Sequence, residues 1–263
     1  MKGYNTSEPY PFYLKMVSVT AIIQARMGST RFPGKSLRPI AGLPLLEHII
    51  IRLKQVPEID LILLAIPEKE SEVPLVELAH QLQVPVFQGS EDDVLGRFIK
   101  AGESVQTEHI VRVCGDNPLI DMPLSSSLIQ AHLSDNADYT IPDDPVPLGS
   151  SCEIIRFETL KKIGKLAKSS IYREHVTTWF HDHPSDFKIK RVNPPDYLKD
   201  CSFRLTVDTE TDFLLIDEIF KNLPHSPESP LNLQTAIEYL NAHPKIASLN
   251  IDIPQKNWRE KNL

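Results

Sequence analysis

The chain is short of several things, and each shortage removes a class of protein. Its 263 residues hold three cysteines (Cys114, Cys152 and Cys201), odd in number, far apart and without a Cys-x-x-Cys pair. A disulfide framework and a zinc knuckle are therefore excluded, and a reducing cytoplasm is the expected compartment. No run of about 18 apolar residues occurs, so no membrane span is expected. The N-terminus lacks the apolar core of a secretory signal. Basic charge is in deficit, with 28 Lys and Arg against 35 Asp and Glu, a net charge of −7. That argues against general nucleic-acid binding, which needs a basic domain or stripe. His-Glu-x-x-His and Gly-x-Ser-x-Gly are both missing, which removes the zincin and hydrolase-elbow readings. Gly-x-Gly-x-x-Gly is missing too, so there is no dinucleotide fingerprint.

What is present is a punctuated alternation. The 22 prolines fall mostly at element boundaries, as at Pro57, Pro67, Pro85, Pro118 and Pro142. Short apolar runs at 17–25, 61–66, 84–87 and 109–114 read as buried strands. Between them, apolar residues recur at helical spacing over 44–55, 72–82 and 92–105, with a further helix at 123–133. Strands alternating with helices predict βαβ units and an α/β fold with a mostly parallel central sheet flanked by helices. The second half is less regular. Strands are expected at 152–157, 187–193 and 203–207, the last two extending the sheet, and helices at 157–168, 171–182, 212–222 and 233–241. Residues 223–230 form a connector. Residues 1–15 show no period and read as a tail, with a single domain over 16–263. His175, His181 and His183 cluster, but the spacing favours a helix surface or dimer contact over a zinc site. Trp179 and Phe180 read as core or interface. The run Glu91-Asp92-Asp93 reads as a helix N-terminus, where acids are favoured.

The chemistry concentrates where strands end. The first strand runs into Gln24-Ala25-Arg26-Met27-Gly28-Ser29-Thr30-Arg31-Phe32-Pro33-Gly34-Lys35. Two glycines let the backbone approach an anion, and successive amides can form an anion nest. Arg26, Arg31 and Lys35 can neutralise several negative charges at once. The spacing is not Walker A, because five residues rather than four separate Gly28 from Gly34. A local basic patch on an acidic chain fits a small polyphosphate, nucleotide above all. Two further strands end in acids. Val113-Cys114 leads into Gly115-Asp116-Asn117-Pro118, which reads equally as an Asx turn or as a strand-end magnesium ligand. Thr206-Val207 leads into Asp208-Thr209-Glu210-Thr211-Asp212. There Thr211 or Asp212 is better placed to cap the following helix, which leaves Asp208 without a structural duty. Two strand-end carboxylates and one anion loop make a nucleotide–metal site.

These stretches, with Gly89-Ser90-Glu91-Asp92-Asp93-Val94-Leu95-Gly96-Arg97, resemble the cytidylyltransferase family, which includes CMP-KDO synthetase and acylneuraminate cytidylyltransferase. The branch of spore-coat polysaccharide biosynthesis proteins is the most similar. The resemblance covers roughly 17–220. It implies a fold like the nucleotide-diphospho-sugar transferases, CTP as substrate, Mg2+ as metal, a sugar acid as acceptor and a homodimer. By similarity, Gln24, Ala25, Arg26, Gly28, Ser29, Arg31, Lys35 and Arg97 would bind the nucleotide. Arg26 and Lys35 would grip its triphosphate, and Asp116 and Asp208 would hold Mg2+. The segment 173–177 would lie at the acceptor side or a dimer contact. Two positions depart from the family pattern. Ser151 replaces an acid in Gly149-Ser150-Ser151-Cys152-Glu153, and Glu210 stands where proline is usual. Three alternatives stay open on the sequence: transfer from a nucleotide with another base, a glycosyltransferase using a nucleotide sugar, and a non-catalytic nucleotide-binding protein.

Overall fold

The structure is a computed structural model that describes residues 18–255. The expected tail at 1–15 lies outside those residues. In chain order the strands are β1 (Val19–Gln24), β2 (Pro39–Ile40), β3 (Leu43–Pro44), β4 (Leu61–Pro67), β5 (Val86–Gly89), β6 (His109–Cys114), β7 (Tyr139–Pro142), β8 (Glu153–Arg156) and β9 (Ile189–Val192). The α-helices are α1 (Leu45–Leu53), α2 (Val73–Gln81), α3 (Val94–Val105), α4 (Met122–Asp135), α5 (Phe157–Leu166), α6 (Ser170–Glu174), α7 (Thr178–Asp182), α8 (Glu210–Asn222), α9 (Leu233–Ala242) and α10 (Pro244–Ala247).

Seven strands form one sheet in the order β5-β4-β1-β6-β8-β7-β9. The pairs β5–β4, β4–β1, β1–β6 and β7–β9 are parallel, whereas β6–β8 and β8–β7 are antiparallel. The sheet is thus mostly parallel, as expected. Its alternation builds two cores. Val19, Ala21 and Ile23 of β1 and Ile62, Leu64 and Ile66 of β4 face one way, into a cluster with α1, α2, α4, α8 and α9. Ile22 of β1 and Leu61, Leu63 and Ala65 of β4 face the other way, onto α3, α5 and α7. Strands covered on both faces carry near-continuous apolar runs. That is why β1 and β4 are legible without any alternation.

Chain direction across the sheet reverses beside β1. The chain leaves β1 for β4 and β5 on one side and returns to β6 on the other. A crevice opens at such a switch point, beyond the carboxyl ends of the strands. Gln24 ends β1 and Cys114 ends β6, and they stand in register. Gly115 follows, its amide bonded to the Gln24 carbonyl at 2.8 Å. A Cβ at Gly115 would meet that oxygen at 2.7 Å, so the close approach needs glycine.

Two expectations are corrected, and one strand of the sheet was not foreseen. The stretch 203–207 is not a strand of the sheet. It makes one isolated bridge, Leu148 to Arg204, and continues through Val207 N–H to the Asp116 carbonyl at 2.8 Å. Leu148 lies between Pro147, which has no amide to give, and Gly149, which turns the chain at φ 93°, so no ladder extends. The helix expected over 171–182 is broken in two, with His175 in an extended conformation between α6 and α7. Val176, Thr177 and Thr178 are β-branched and lose side-chain freedom in a helix, and Val176 is buried in the core instead. The strand β7 was not expected at all. It is four residues long and ends in proline, which gives little periodicity to read.

Gly149 tests how tightly this corner is built. A Cβ there would meet the Thr206 amide nitrogen at 2.7 Å, on a backbone already at positive φ. Gly149→Ala should destabilise the protein by about 2 kcal/mol. For a chain of this size that lowers the thermal midpoint by roughly 4–8 °C, measurable by circular dichroism.

Candidate active site

The loop after β1 is held from three directions. The Met27 amide donates to the Glu72 carboxylate oxygen Oε2 at 2.8 Å, and Glu72 is buried. Gly34 N–H donates back to the Met27 carbonyl at 3.1 Å, with Gly34 left-handed at φ 69°. Phe32 is buried and stacks at a tilt on Phe213 of α8, centroids 5.6 Å apart. The amides of Gly28, Thr30 and Arg31 have no partner among the described residues. That leaves them available to an anion.

A one-turn 3-10 helix at Lys35–Leu37 then buries Lys35. Its Nζ donates to Asp116 Oδ2 at 2.9 Å, to Asp208 Oδ1 at 3.1 Å and to the Val207 carbonyl at 2.7 Å. Burial lowers the pKa of this ammonium, but Asp116 and Asp208 outweigh it and hold it above its ordinary value. Asp208 has two more cations. Arg31 Nη2 lies 3.0 Å from Oδ2, and Arg204 Nη2 lies 2.8 Å from the same oxygen.

Asp208 is fixed from behind. Arg204 Nε donates to Asp212 Oδ1 at 2.8 Å, and Asp212 is fully buried. Asn250 Nδ2 donates to Asp212 Oδ1 at 2.8 Å and to the Arg204 carbonyl at 3.0 Å. The N-cap of α8 is Thr209, with Asp212 returning the bond in a capping box. The sequence expectation that Thr211 or Asp212 caps is thus corrected by two or three residues. Glu210 occupies the first helical position, a place where proline is also favoured. The departure from the family pattern is therefore mild. The same network corrects the expectation that Asp208 lacks a structural duty.

These groups open on a cleft of about 530 Å³. Nine of the ten residues singled out in the sequence line it: Gln24, Ala25, Arg26, Ser29, Arg31, Lys35, Arg97, Asp116 and Asp208. Gly28 is not among the lining residues. Arg26 is half exposed and lies 3.8 Å from Glu91. Arg97 is buried, and its guanidinium donates to the Ser90 and Glu91 carbonyls. Its role here is to hold that loop. Ser170 and Glu174 of α6 and His175, at the break before α7, also line it. Asp116 and Asp208, with Arg26, Arg31, Lys35 and open amides beside them at the strand ends, can take a polyphosphate with a divalent ion.

Residues 20–248 match the family described as Cytidylyltransferase. The chain belongs to that family. Among its relatives is the spore coat polysaccharide biosynthesis protein SpsF of Bacillus subtilis, 34% identical over 238 residues, 89% of this chain and 98% of that one. An uncharacterized protein of Methanocaldococcus jannaschii is 37% identical over 244 residues, 93% of this chain and 99% of the other. The solved structure of a cytidylyltransferase from Leptospira borgpetersenii superposes with a TM-score of 0.82 at 25% identity, covering 92% of this chain and all of that one. The fold is that of the nucleotide-diphospho-sugar transferases, and the chain is a nucleotidyltransferase of the cytidylyltransferase family.

Two features of this cytidylyltransferase cleft were not read from the sequence. Arg204 was missed, although an arginine four residues before Asp208 in an apolar run was a signal. Glu91 was read as a helix N-terminus, but Asp93 caps α3, accepting from Gly96 N–H at 2.8 Å. Glu91 instead pairs with Lys69 and Arg26 at the cleft. Glu153, from the stretch with the family departure, does not line the cleft. It accepts from Arg112, Tyr139 and Thr177. No helix among the described residues is long and apolar enough to cross a membrane.

The acids behind the cleft predict an acid dependence. Burial pushes Asp208 and Asp212 up, but Lys35, Arg31 and Arg204 on the first, and Arg204 and Asn250 on the second, hold both below the usual range. A carboxylate depressed in the fold contributes stability that is present above its unfolded pKa of about 3.9 and lost as pH falls through the folded value. The thermal midpoint should therefore drop steeply below about pH 4. Asp212→Asn should melt earlier at neutral pH and show a shallower acid slope, read by a melting series from neutral to acid pH.

Proposed function

We propose that this chain transfers a cytidylyl group from CTP to a sugar acid and releases pyrophosphate, with Mg2+ as its metal. The catalytic groups are Arg26, Lys35, Asp116 and Asp208, in a single nucleotidyltransferase domain over 16–263. One observation carries the reading: the Lys35 ammonium sits between the Asp116 and Asp208 carboxylates in the cleft of a cytidylyltransferase-family fold. The relative named for spore coat polysaccharide biosynthesis supports a surface polysaccharide as the destination. A cytoplasmic homodimer acting on CTP and a sugar acid, with no nucleic acid, completes the proposal.

The donor set suits the metal. Mg2+ is usually held by one or two carboxylates together with substrate phosphates and waters, not by an all-protein cage. Among the described residues no group of three or more His, Cys, Asp or Glu could hold an ion, whereas two carboxylates converge on one ammonium. When bound by Asp116 and Asp208, the ion would screen phosphate oxygens and acidify the attacking hydroxyl.

The protein's own part is mainly to position and to neutralise. The acceptor hydroxyl attacks the α-phosphorus in line. The new O–P bond forms as the bond from the α-phosphorus to the oxygen bridging the α- and β-phosphates breaks, the pyrophosphate keeps that oxygen, and the hydroxyl's proton passes to water. Arg26 and Lys35 receive the charge that gathers on pyrophosphate. Arg31 and the loop amides hold the remaining phosphate oxygens. Ser170, Glu174 and His175 also line the cleft and would orient the acceptor.

A panel of the four nucleoside triphosphates with Mg2+ and several sugar acids, scored by pyrophosphate release, should give release with CTP alone. Equal use of all four would end the assignment of the base. Consumption of a sugar nucleotide without pyrophosphate would mark a glycosyltransferase. Asp116→Asn and Asp208→Asn should each slow release by about a hundredfold, some 3 kcal/mol of barrier. Near-normal turnover in either variant would remove that residue from the metal site.

A further inference from the structure

Outside the cleft, one arginine is buried without a counter-charge. Arg52, in the last turn of α1, is 2% exposed. Its Nε donates to the Ile120 carbonyl at 2.7 Å and its Nη1 to the Leu231 carbonyl at 2.6 Å. Nη2 is buried too, and its two hydrogens meet no acceptor among the described residues. Other deep arginines differ: Arg112 pairs with Glu153, and Arg204 with Asp208 and Asp212. Asp121 is the acid whose charge Arg52 feels. Its carboxylate is spent elsewhere, accepting from the Leu124 amide at 2.7 Å and the Tyr197 hydroxyl at 2.9 Å. Burial pulls the Arg52 guanidinium down to a pKa of about 10, which leaves it charged at neutral pH.

Arg52 lines a cavity of about 10 Å³ together with His48, Phe220, His225 and Ser226. That is room for one particle about the size of a water molecule, too little for a phosphate or a carboxylate. No Asp or Glu is among the lining residues. His48 Nε2 lies 2.8 Å from the Ile40 carbonyl, and His225 Nδ1 lies 2.9 Å from the Leu223 carbonyl. A carbonyl only accepts, so both nitrogens carry hydrogen, and each ring is neutral or positive. The Ser226 hydroxyl oxygen accepts from the Ser229 amide at 3.1 Å, which leaves its hydrogen to give. Water in this cavity would accept from Nη2 but would leave the charge unanswered, and an unpaired buried charge is destabilising. A small anion answers both demands.

We propose that one halide ion, chloride in a cell, binds in this cavity on the Nη2 hydrogens of Arg52 and the Ser226 hydroxyl and supplies the missing counter-charge. The cavity shares no lining residue with the nucleotide cleft, so the site stands whether or not the nucleotidyl-transfer reading does. The ion's duty is structural. Arg52 joins α1 to the turn before α4 through Ile120, and to the lead-in to α9 through Leu231. His48 ties the same helix to β2 through Ile40. An ion held by Arg52 binds the folded chain and not the unfolded one, and so stabilises it.

Wild-type protein in sodium gluconate, whose anion is too large for the cavity, should melt earlier than in sodium chloride or bromide at the same ionic strength. At about ten times the dissociation constant of the halide, the midpoint should stand roughly 3–6 °C higher, and it should rise with the logarithm of halide concentration. Crystals grown in sodium bromide should give an anomalous peak within hydrogen-bond reach of Arg52 Nη2. Ser226→Ala removes one donor and should weaken halide binding about tenfold. Arg52→Gln keeps an amide donor but removes the charge, and the folded variant should melt alike in chloride and gluconate. If Arg52→Gln does not fold, the wild-type melts, the bromide map and Ser226→Ala still decide. Equal wild-type midpoints in chloride and gluconate overturn the proposal, even with bromide in the crystal. Halide stabilisation without bromide at Arg52 overturns it as well, and so does an unchanged halide response in Ser226→Ala.

Discussion

A buried ammonium with three oxygen neighbours is the constraint around which the cleft is arranged. Lys35 is 8% exposed, and a lysine so placed is tolerated only when its charge and all its hydrogens are satisfied. The fold meets that demand from two distant directions. Asp116 comes from the turn after β6, and Val207 and Asp208 come from the approach to α8. Neither the parallel half of the sheet nor the irregular second half can build this site alone.

The scaffold behind it is correspondingly rigid. Gly115 lies against the Gln24 backbone where only a hydrogen fits. Leu148 pins Phe203 and Leu205 by two main-chain bonds, on either side of Arg204. Asp212 gathers bonds from Arg204, Asn250, Thr209 and the Asp208 amide. The last two fix where the Asp208 carboxylate points, and neither Leu148 nor Asp212 lines the cleft. Side chains in direct view of the cleft thus depend on polar groups sealed beneath it, and a sealed network is worth more complete than in parts.

The sequence was most legible where one local rule decides the outcome. The buried strands β1, β4 and β6 and the helices α1, α3 and α8 announced themselves by apolar runs and by period. The loop 24–35 announced itself by composition. Asp116 and Asp208 were found because both follow apolar stretches that end abruptly. The misses came where long-range contacts override local preference. The stretch 203–207 has the pattern of a strand, but Pro147 and Gly149 deny it a partner. The segment 171–182 has a helical period, but the core claims Val176 and splits it. Arg204 and Glu91 carry their meaning only through residues far away in sequence, and nothing local reports that.

The bond from Lys35 to Asp208 closes over 173 residues of sequence. During synthesis the chain is made from its N-terminus. The loop and the strands β1, β4 and β6 therefore leave the ribosome well before Asp208 exists. For that interval the lysine has at most Asp116 to neutralise it, and water must do the rest. Contacts of such separation are slow to form, so nucleotide-handling ability is the last property this polypeptide acquires as it matures, long after its sheet has begun to assemble.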